Sequence, residues 1–503
     1  MYFSALVFTE VCFIMRISAL AKKTPNKSIF TPFRHVFSRC GIEGFAFTRR
    51  IPEFLATVLA VMVLCSCDAQ FFGGDRQLMR PPYPAGEDRN IQEELTKSLG
   101  NFTLKYPKSG SYRSAIVRTD LTGDGKNDAL VFYRQDETKP ISLALLSQDN
   151  GKWQFISKKE GEGGEIDRVL FGDINCDGVN EIIVGWTIYS SGLNIISAYS
   201  LQDNTLTAID VKEYSESKGA NISVAYTDMQ LYDFDNDGSD EIIASYLNLS
   251  EVTATAKLIE CHRGVDNAYT MSVTDTAQLD GHVLYYADAK VAKLTDDRIF
   301  GVVLDGYKDN STMVTEYIYW NSVNGDLEAP FYDSEEQTVL NTVRNVNVTS
   351  RDIDSDGVID IPVTEYLPGY DHTSENPMYL TLWYNVDFGT KGYTFLNKKK
   401  NIINLSEGYS ITWQSAWNGK VTCRLDEKNR ILYFYRYKKD RFAFSEELFR
   451  IKLFTQSEWK EDNHDPKYAV VLNTTDETVC AALFSSDQTL IDQKTVQSAF
   501  SLI

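Results

Sequence analysis

Four stretches of the chain set oxygen-bearing side chains at alternate positions just ahead of a glycine. The first runs Asp120-Leu-Thr-Gly-Asp-Gly-Lys-Asn-Asp128, with Asp120, Thr122, Asp124 and Asp128 at positions 1, 3, 5 and 9. The second offers Asp173, Asn175, Asp177 and Glu181 at the same positions, and the third Asp233, Asp235, Asp237 and Glu241. The fourth offers Asp352, Asp354, Asp356 and Asp360. A hard divalent cation takes about six to eight oxygens. Side chains at positions 1, 3 and 5 converge on one point if the backbone curls, and a carboxylate at position 9 completes the shell. Gly125, Gly178, Gly238 and Gly357, all at position 6, permit the positive φ of a sharp turn. The chemistry this points to is calcium binding at about four sites. One such stretch alone would be an ordinary Asx-rich turn; four in one phase are not.

Each loop runs directly into apolar β-formers: Ala-Leu-Val-Phe after Asp128, Ile-Ile-Val after Glu181, Ile-Ile-Ala after Glu241 and Ile-Pro-Val after Asp360. The opening of each loop matches the start of an EF-hand loop, but no flanking helix pattern and no Glu at position 12 accompany it, so the context is strand–loop–strand. First aspartates are separated by 53, 60 and 119 residues. The last interval is two periods, which predicts a decayed copy near residue 293. Lys293-Leu-Thr-Asp-Asp-Arg-Ile-Phe-Gly-Val-Val303 stands there, with the turn glycine lost and Lys293 at the first ligand position. This unit is expected to bind no calcium, the Lys293 ammonium substituting for the ion.

A 50–60-residue period is that of a propeller or another repeat architecture. Between the first two loops, Ala129–Arg134, Ile141–Ser147, Trp153–Ser157 and Ile166–Phe171 read as four strands separated by turn signals. The second unit continues with Ile182–Tyr189, Asn194–Leu201 and Leu206–Tyr214. Four antiparallel strands per unit make one blade. The expected fold is all-β: a propeller of about six to seven four-stranded blades over residues 106–400, a linear array of small sheets being the alternative. Residues 401–503 are expected to form degenerate closing blades or a small α+β cap. Their expected strands are Ile402–Trp417, Ile431–Tyr437, Leu448–Leu453 and Tyr468–Leu472, and Asp492–Leu502 is expected to be a terminal helix.

The loops resemble those of the FG-GAP/VCBS repeat family, known from the propeller of integrin α subunits and from many bacterial surface proteins. Gly185-Trp186 stands where that family often has Gly-Ala-Pro, whereas Phe171-Gly172 abuts the loop instead of lying upstream. The resemblance covers about residues 110–400. It implies calcium held by positions 1, 3, 5 and 9 with a backbone carbonyl at position 7, and it implies no particular ligand or activity. Thr122 and Asn175 replace the family's Asp at position 3, leaving three carboxylates in the first two loops against four in the others. Ligand charge tunes affinity, so the third and fourth loops are expected to bind more tightly.

Arg49-Arg50 precede an apolar run, Phe54–Leu64, and then Cys65-Ser66-Cys67. That is a secretory signal pattern, and the run is too short for a bilayer span of about 20 residues. Leu64-Cys65-Ser66-Cys67 resembles the bacterial lipobox, which implies lipid attachment at Cys67 and a location on the cell envelope outside the cytoplasm. Residues 1–66 then read as a leader started too far upstream plus the signal, an uncleaved N-terminal anchor being the alternative. Residues 67–105 read as a tether, with one short helix over Ile91–Leu99.

The net charge of −20 makes a nucleic-acid partner unfavourable, and 43% hydrophobic residues provide for a real core. Cys176, Cys261, Cys423 and Cys480 are compatible with two disulfides or with scattered thiols, and none has zinc-site spacing. Asp371-His372 is the one acid–histidine pair that stands out, and a solvated loop pair explains it. No H-E-x-x-H, G-x-S-x-G, phosphate-loop or dinucleotide motif is present. The expected function is a non-catalytic, calcium-binding surface or adhesion module for a protein or glycan. The alternative is a secreted carbohydrate-active enzyme using the propeller as scaffold. Seven Asn-x-Ser/Thr sequons beyond Cys67 suit an integrin-like ectodomain, a reading the lipobox opposes.

Overall fold

In the computed structural model the described residues are 86–503, apart from 266, 296–297, 390–391, 440–443, 445, 461–464 and 487–488. The signal segment and Cys67 lie outside the described residues. No helix among the described residues is long and apolar enough to cross a membrane.

Short apolar runs punctuated by turn residues fold as strands almost throughout. The first sheet contains Ile116–Thr119, Asp128–Arg134, Ser142–Asp149 and Lys152–Glu160, with Thr103–Leu104 alongside Asp128–Arg134. The second contains Glu165–Gly172, Glu181–Thr187, Asn194–Gln202 and Thr205–Ser215, and the third Asp228–Tyr232, Glu241–Asn248, Thr253–Arg263 and Tyr269–Leu279. A short parallel pairing of Asp210–Lys212 with Thr270–Ser272 joins these two. With the short strands Ala220–Ser223 and Ala225–Tyr226 alongside, the result is a ten-stranded sheet whose end strands, Glu165–Gly172 and Asp228–Tyr232, approach each other and nearly close it.

The fourth sheet holds Tyr285–Lys293, Phe300–Tyr307, Met313–Asn321 and Asp326–Glu328. The fifth holds Ile361–Tyr366, Tyr379–Gly389, Gly392–Asn404 and Tyr409–Thr412, completed by the chain-terminal Phe500–Leu502. The sixth orders Val421–Asp426, Ile431–Arg436, Glu447–Thr455, Thr478–Phe484 and Val470–Thr474.

Apolar clusters join these sheets in series. Leu130, Phe132 and Leu143 meet Ile166, Val184 and Trp186 between the first and second. Similar clusters join second to third, third to fourth, fourth to fifth and fifth to sixth. The repeat period reappears in polar contacts from the first strand of one sheet to the next repeat. Arg168 pairs with Asp228 at 2.7 Å, Gln230 Nε2 donates to the Ala289 carbonyl at 3.1 Å, and Lys290 Nζ donates to the Ser350 carbonyl at 2.5 Å. Each pair is 59 or 60 residues apart in sequence, one repeat length.

Three expectations change. Helix α1, Glu87–Leu99, lays Ile91 and Leu95 on the second face of the first sheet, against Val131, Tyr133 and Trp153. That face is thus covered by a helix, and among the described residues no apolar cluster joins the first sheet to the last. There are six such sheets among the described residues, so a seventh blade and a closed ring are not seen there. Ile402–Trp417 is not one strand. It breaks after Asn404, resumes at Tyr409–Thr412 and ends in a 3-10 turn, Ser415–Trp417, because Gly408 needs φ +69 for the reversal. The terminal helix spans only Gln493–Ala499, capped by Asp492 accepting from Thr495 N at 3.0 Å. Phe500 then extends to stack on Tyr409, with ring centroids 5.4 Å apart. Cys176, Cys261, Cys423 and Cys480 are all free thiols.

Candidate metal centres

The first three candidate loops, 120–127, 173–180 and 233–240, connect the first strand of a sheet to its second, and the fourth, 352–360, is closed by an antiparallel bridge between Arg351 and Asp360 and leads into the first strand of the fifth sheet. The backbone curls as the glycine spacing requires. Gly125, Gly178, Gly238 and Gly357 have φ of 80°, 86°, 98° and 84°. Position 4 is also left-handed, at Gly123, Cys176, Asn236 and Ser355 with φ of 73°, 58°, 62° and 63°. This second requirement has only a weak signal in the sequence, Asn236, a residue type that tolerates that region.

Aspartate at position 1 organises the curl. Asp120 accepts from Gly123 N and Gly125 N, both at 2.8 Å; Asp173 accepts from Asp177 N and Gly178 N; Asp233 accepts from Asp237 N and Gly238 N; Asp352 accepts from Ser355 N and Gly357 N. Position 9 closes the loop from beneath. One oxygen of Asp128, Glu181, Glu241 and Asp360 accepts from the backbone N–H of position 2, at 2.9, 3.2, 2.9 and 2.9 Å. These four carboxylates are 0%, 3%, 3% and 0% exposed, so they enter the loop from the sheet interior.

Buried polar atoms are nearly always hydrogen-bonded. In these loops several are not: Thr122 Oγ1, Asp128 Oδ1, Asn175 Oδ1 and Asp360 Oδ1 are buried without a partner. All four are at positions 3 or 9, and all are oxygens, the donors a hard cation selects. Burial, reinforced by Asp177, pushes the Glu181 carboxyl up to about 8. Burial, reinforced by Asp235 and Asp237, does the same to Glu241, and Asp360 is raised to about 6 by burial with Asp354 and Asp356 nearby. Clustered carboxylates that resist ionising together are the electrostatic form of a cation site.

Two loops form compact acidic clusters. Oxygens of Asp233, Asp235, Asp237 and Glu241 lie within 4.8 Å of one another, as do those of Asp352, Asp354 and Asp356. Either cluster can in principle hold a metal ion. The two differ in one respect invisible in the motif. Lys398, from the third strand of the fifth sheet, places its ammonium 2.7 Å from Asp356 and 3.5 Å from Asp354, and its hydrogen bond lowers the Asp356 pKa. In the first loop Lys126 bonds Asp124 through both its backbone N–H and its ammonium, and Asp124 is lowered in turn. In the third loop Ser239, not a cation, bonds Asp237 and Glu241.

At the decayed copy the chain turns tightly, Leu294 N donating to Ile299 O at 2.7 Å. Residues 296 and 297 lie outside the described residues. Lys293 nevertheless occupies position 1 of a copy: Ile359 N, at position 8 of the next loop, donates to Lys293 O at 3.0 Å, as Asp240 N donates to Asp173 O at 2.9 Å between the second and third loops.

Asp371 and His372 are both exposed, and Asp371 is engaged by Thr373 N and Thr373 Oγ1, as a loop turn requires. A different pair was missed. Buried Asp280 accepts from His282 N at 2.9 Å and faces His282 Nδ1 at 3.2 Å, while its other oxygen takes Lys308, Thr338 and Val339. The Asp-Gly-His spacing was its only sequence signal.

The fold and loops define a mostly β-sheet, repeat-built chain with acidic clusters suited to a metal ion. Residues 120–184 match the family model for an FG-GAP-like repeat. No curated protein matches the sequence. Among solved structures, the chain is similar to the exotype rhamnogalacturonan lyase YesX at 13% identity, covering 69% of this chain and 75% of that one, with a TM-score of 0.26. The Dos1 propeller is similar at 11% identity, covering 65% of each chain, with a TM-score of 0.28. A fructosyltransferase from A. japonicus is similar at 9% identity, covering 64% of this chain and 65% of that one, with a TM-score of 0.21. These are remote likenesses of β-sheet architecture.

Proposed function

We propose that this chain is a calcium-braced binding scaffold, anchored through a lipid on Cys67 to the outside of a bacterial envelope membrane, which offers its sheets to an extracellular protein or glycan. The observation that carries the metal half is the set of buried, unpartnered oxygens at positions 3 and 9. A cation there would satisfy them and neutralise carboxylates that otherwise repel. Its role would be structural, because three of the loops tie a sheet's first strand to its second, the fourth leads into the fifth sheet, and position 9 is sealed from solvent. The test of the binding half is a pull-down and glycan array with the full chain, in calcium and in chelator. Calcium-dependent capture of a defined ligand supports it; no capture in either condition contradicts it.

One feature favours the second reading, a carbohydrate-active enzyme on the same scaffold. Asp280 N–H donates to Glu316 Oε2 at 2.9 Å. Burial pushes Glu316 to about 8; burial also acts on Asp280, but hydrogen bonds from Lys308, Val339 and His282 outweigh it and lower that carboxyl. Carboxylates split in this way serve as acid and base in glycoside cleavage. Here, though, they are 1% and 0% exposed. Product release from a polysaccharide panel, abolished by Glu316→Gln in a folded protein, would establish the enzyme reading.

A further inference from the structure

Position 9 ends each loop where a strand begins, and the strand register decides what it faces. Ala129 pairs with Leu146, Ile182 with Tyr199, Ile242 with Ile259 and Ile361 with Tyr384. One step toward the loop, the same register sets Asp128 opposite Ser147, Glu181 opposite Ser200, Glu241 opposite Glu260 and Asp360 opposite Asn385. Directly opposed residues of antiparallel strands share a face, with Cβ atoms about 4.5–5.5 Å apart. In all four intact copies an oxygen-bearing side chain from outside the motif thus stands beside the carboxylate that closes the loop. In the decayed copy position 9 is Gly301, which pairs with Tyr319, and that hydroxyl is spent on Glu328 at 2.6 Å.

At the fourth loop the opposed pair is left unsatisfied. Asn385 is 5% exposed, and its Oδ1 is buried with no hydrogen-bond partner; Oδ1 of the fully buried Asp360 is in the same condition. Buried oxygens are rarely left so, and two on facing residues call for one shared electropositive partner. Asn385 also reaches the acidic cluster. Lys398 chiefly, then the Val358 N–H, with a hydrogen bond from Asn385 in smaller part, hold the Asp356 carboxyl low. Lys398 is the residue left unpaired by the bulge between the pairs Trp383–Lys399 and Tyr384–Asn397. Its ammonium bonds Asp356 but neither of the two orphaned oxygens.

We propose that Asn385 is a further metal ligand of the fourth loop, its amide oxygen completing from the adjacent strand the shell begun by Asp352, Asp354, Asp356 and Asp360. A hard cation takes amide oxygens as readily as it takes carboxylates into a mixed shell. A carboxamide carries a donor end and an acceptor end of nearly equal size. A half-turn therefore exchanges the amide nitrogen that serves Asp356 for the oxygen, and a cation between the two oxygens replaces the hydrogen bond. A neutral ligand suits this loop, which already gathers four carboxylates. The inference rests on the metal half of the proposed function and goes beyond it, since no position of the loop motif calls for an oxygen from a neighbouring strand. A buried water bonded to both oxygens is the competing occupant, and it would give Asn385 no part in calcium affinity.

The experiment is calcium titration of the full chain by calorimetry, with bound calcium per chain counted by elemental analysis. Asn385→Ala should weaken one site about tenfold and leave the others within about twofold. Asn385→Asp separates a ligand from a prop. A ligand's position gains a carboxylate, and that site is restored or tightened. A mere hydrogen-bonding prop of Asp356 loses its donor and gains repulsion, so the site weakens as it does with alanine. Thermal melts of the same samples in chelator read any cost to the fold apart from the cost to binding: Asn385→Asp should melt below the unaltered chain without calcium and gain more from it. A crystal structure of the calcium-bound chain should place Asn385 Oδ1 about 2.3–2.6 Å from the ion, whatever the variants do. Unchanged affinity in Asn385→Ala, weakening of the same site by both substitutions, or an ion in the fourth loop without Asn385 in its shell overturns this proposal and leaves the metal reading standing. An unaltered chain that binds no calcium overturns both.

Discussion

Asp240 donates its backbone N–H to the Asp173 carbonyl at 2.9 Å and accepts the Asp173 N–H on its own carboxylate at 3.0 Å. Position 8 of the third loop is thereby bolted to position 1 of the second. Contact is close enough that a Cβ on Gly172 would sit 2.4 Å from Asp240 Oδ2. The second and third loops are therefore bonded directly to each other.

Asp240→Ala removes the carboxylate half of this bolt and leaves Asp173 N–H half-buried without it. The loss is expected to cost about 1–2 kcal/mol of stability in urea unfolding. Calcium titration by calorimetry should show weaker binding at the second loop as well as the third. A change confined to the third loop would mean that the bolt transmits nothing.

The pH response follows from the buried carboxyls. Glu181 and Glu241 stand near 8 and Asp360 near 6 in the folded chain without metal, against about 4 when unfolded. Groups raised by folding contribute their stability fully below the unfolded pKa and lose it as pH rises through the folded one. Chelated protein is thus expected to melt at progressively lower temperature from pH 5 to pH 8.5. Calcium displaces those protons, so its stabilisation should grow over the same range. A chelated protein whose melting temperature is flat from pH 5 to 8.5 would refute this.

Arg344 and Asp305 form an ion pair at 2.6 Å with both side chains fully buried, backed by Thr315, Ser350 and the Val348 carbonyl. It pins the segment entering the fourth loop to the fourth sheet. Arg344→Ala strands a buried charge and is expected to cost about 3–5 kcal/mol. Arg344→Met with Asp305→Leu should recover most of that. Chemical unfolding of the two variants measures both values, and a loss below about 1 kcal/mol in Arg344→Ala would contradict the assignment.

Much of this was legible because the repeat is local. Loop chemistry, glycine positions and the strands from Asp128 to Ser215 are written in short windows, and the 119-residue gap located Lys293 at position 1, where Ile359 N bonds its carbonyl. What escaped depended on distant residues. Lys398 reaches the fourth loop from 42 residues away, which alters the expected parity of the third and fourth loops: four free carboxylates remain only in the third. Helix α1 was visible as a pattern, but nothing local told that Ile91 and Leu95 cover the second face of the first sheet. Phe500–Leu502 reads as helix by continuity, but it pairs antiparallel with Tyr409–Ile411, some 90 residues back, with Phe500 stacked on Tyr409.

The most direct test of the account is calcium bound per chain at equilibrium, measured by dialysis and elemental analysis, together with the thermal melt. Close to four ions per chain are expected, with the third loop filling first. Saturation at about 100 times the dissociation constant should add about 2.7 kcal/mol per site. Glu241→Gln should remove the tightest site and leave the fold intact. A chain that retains no calcium after dialysis, and melts at one temperature in calcium and in chelator, would contradict the central claim.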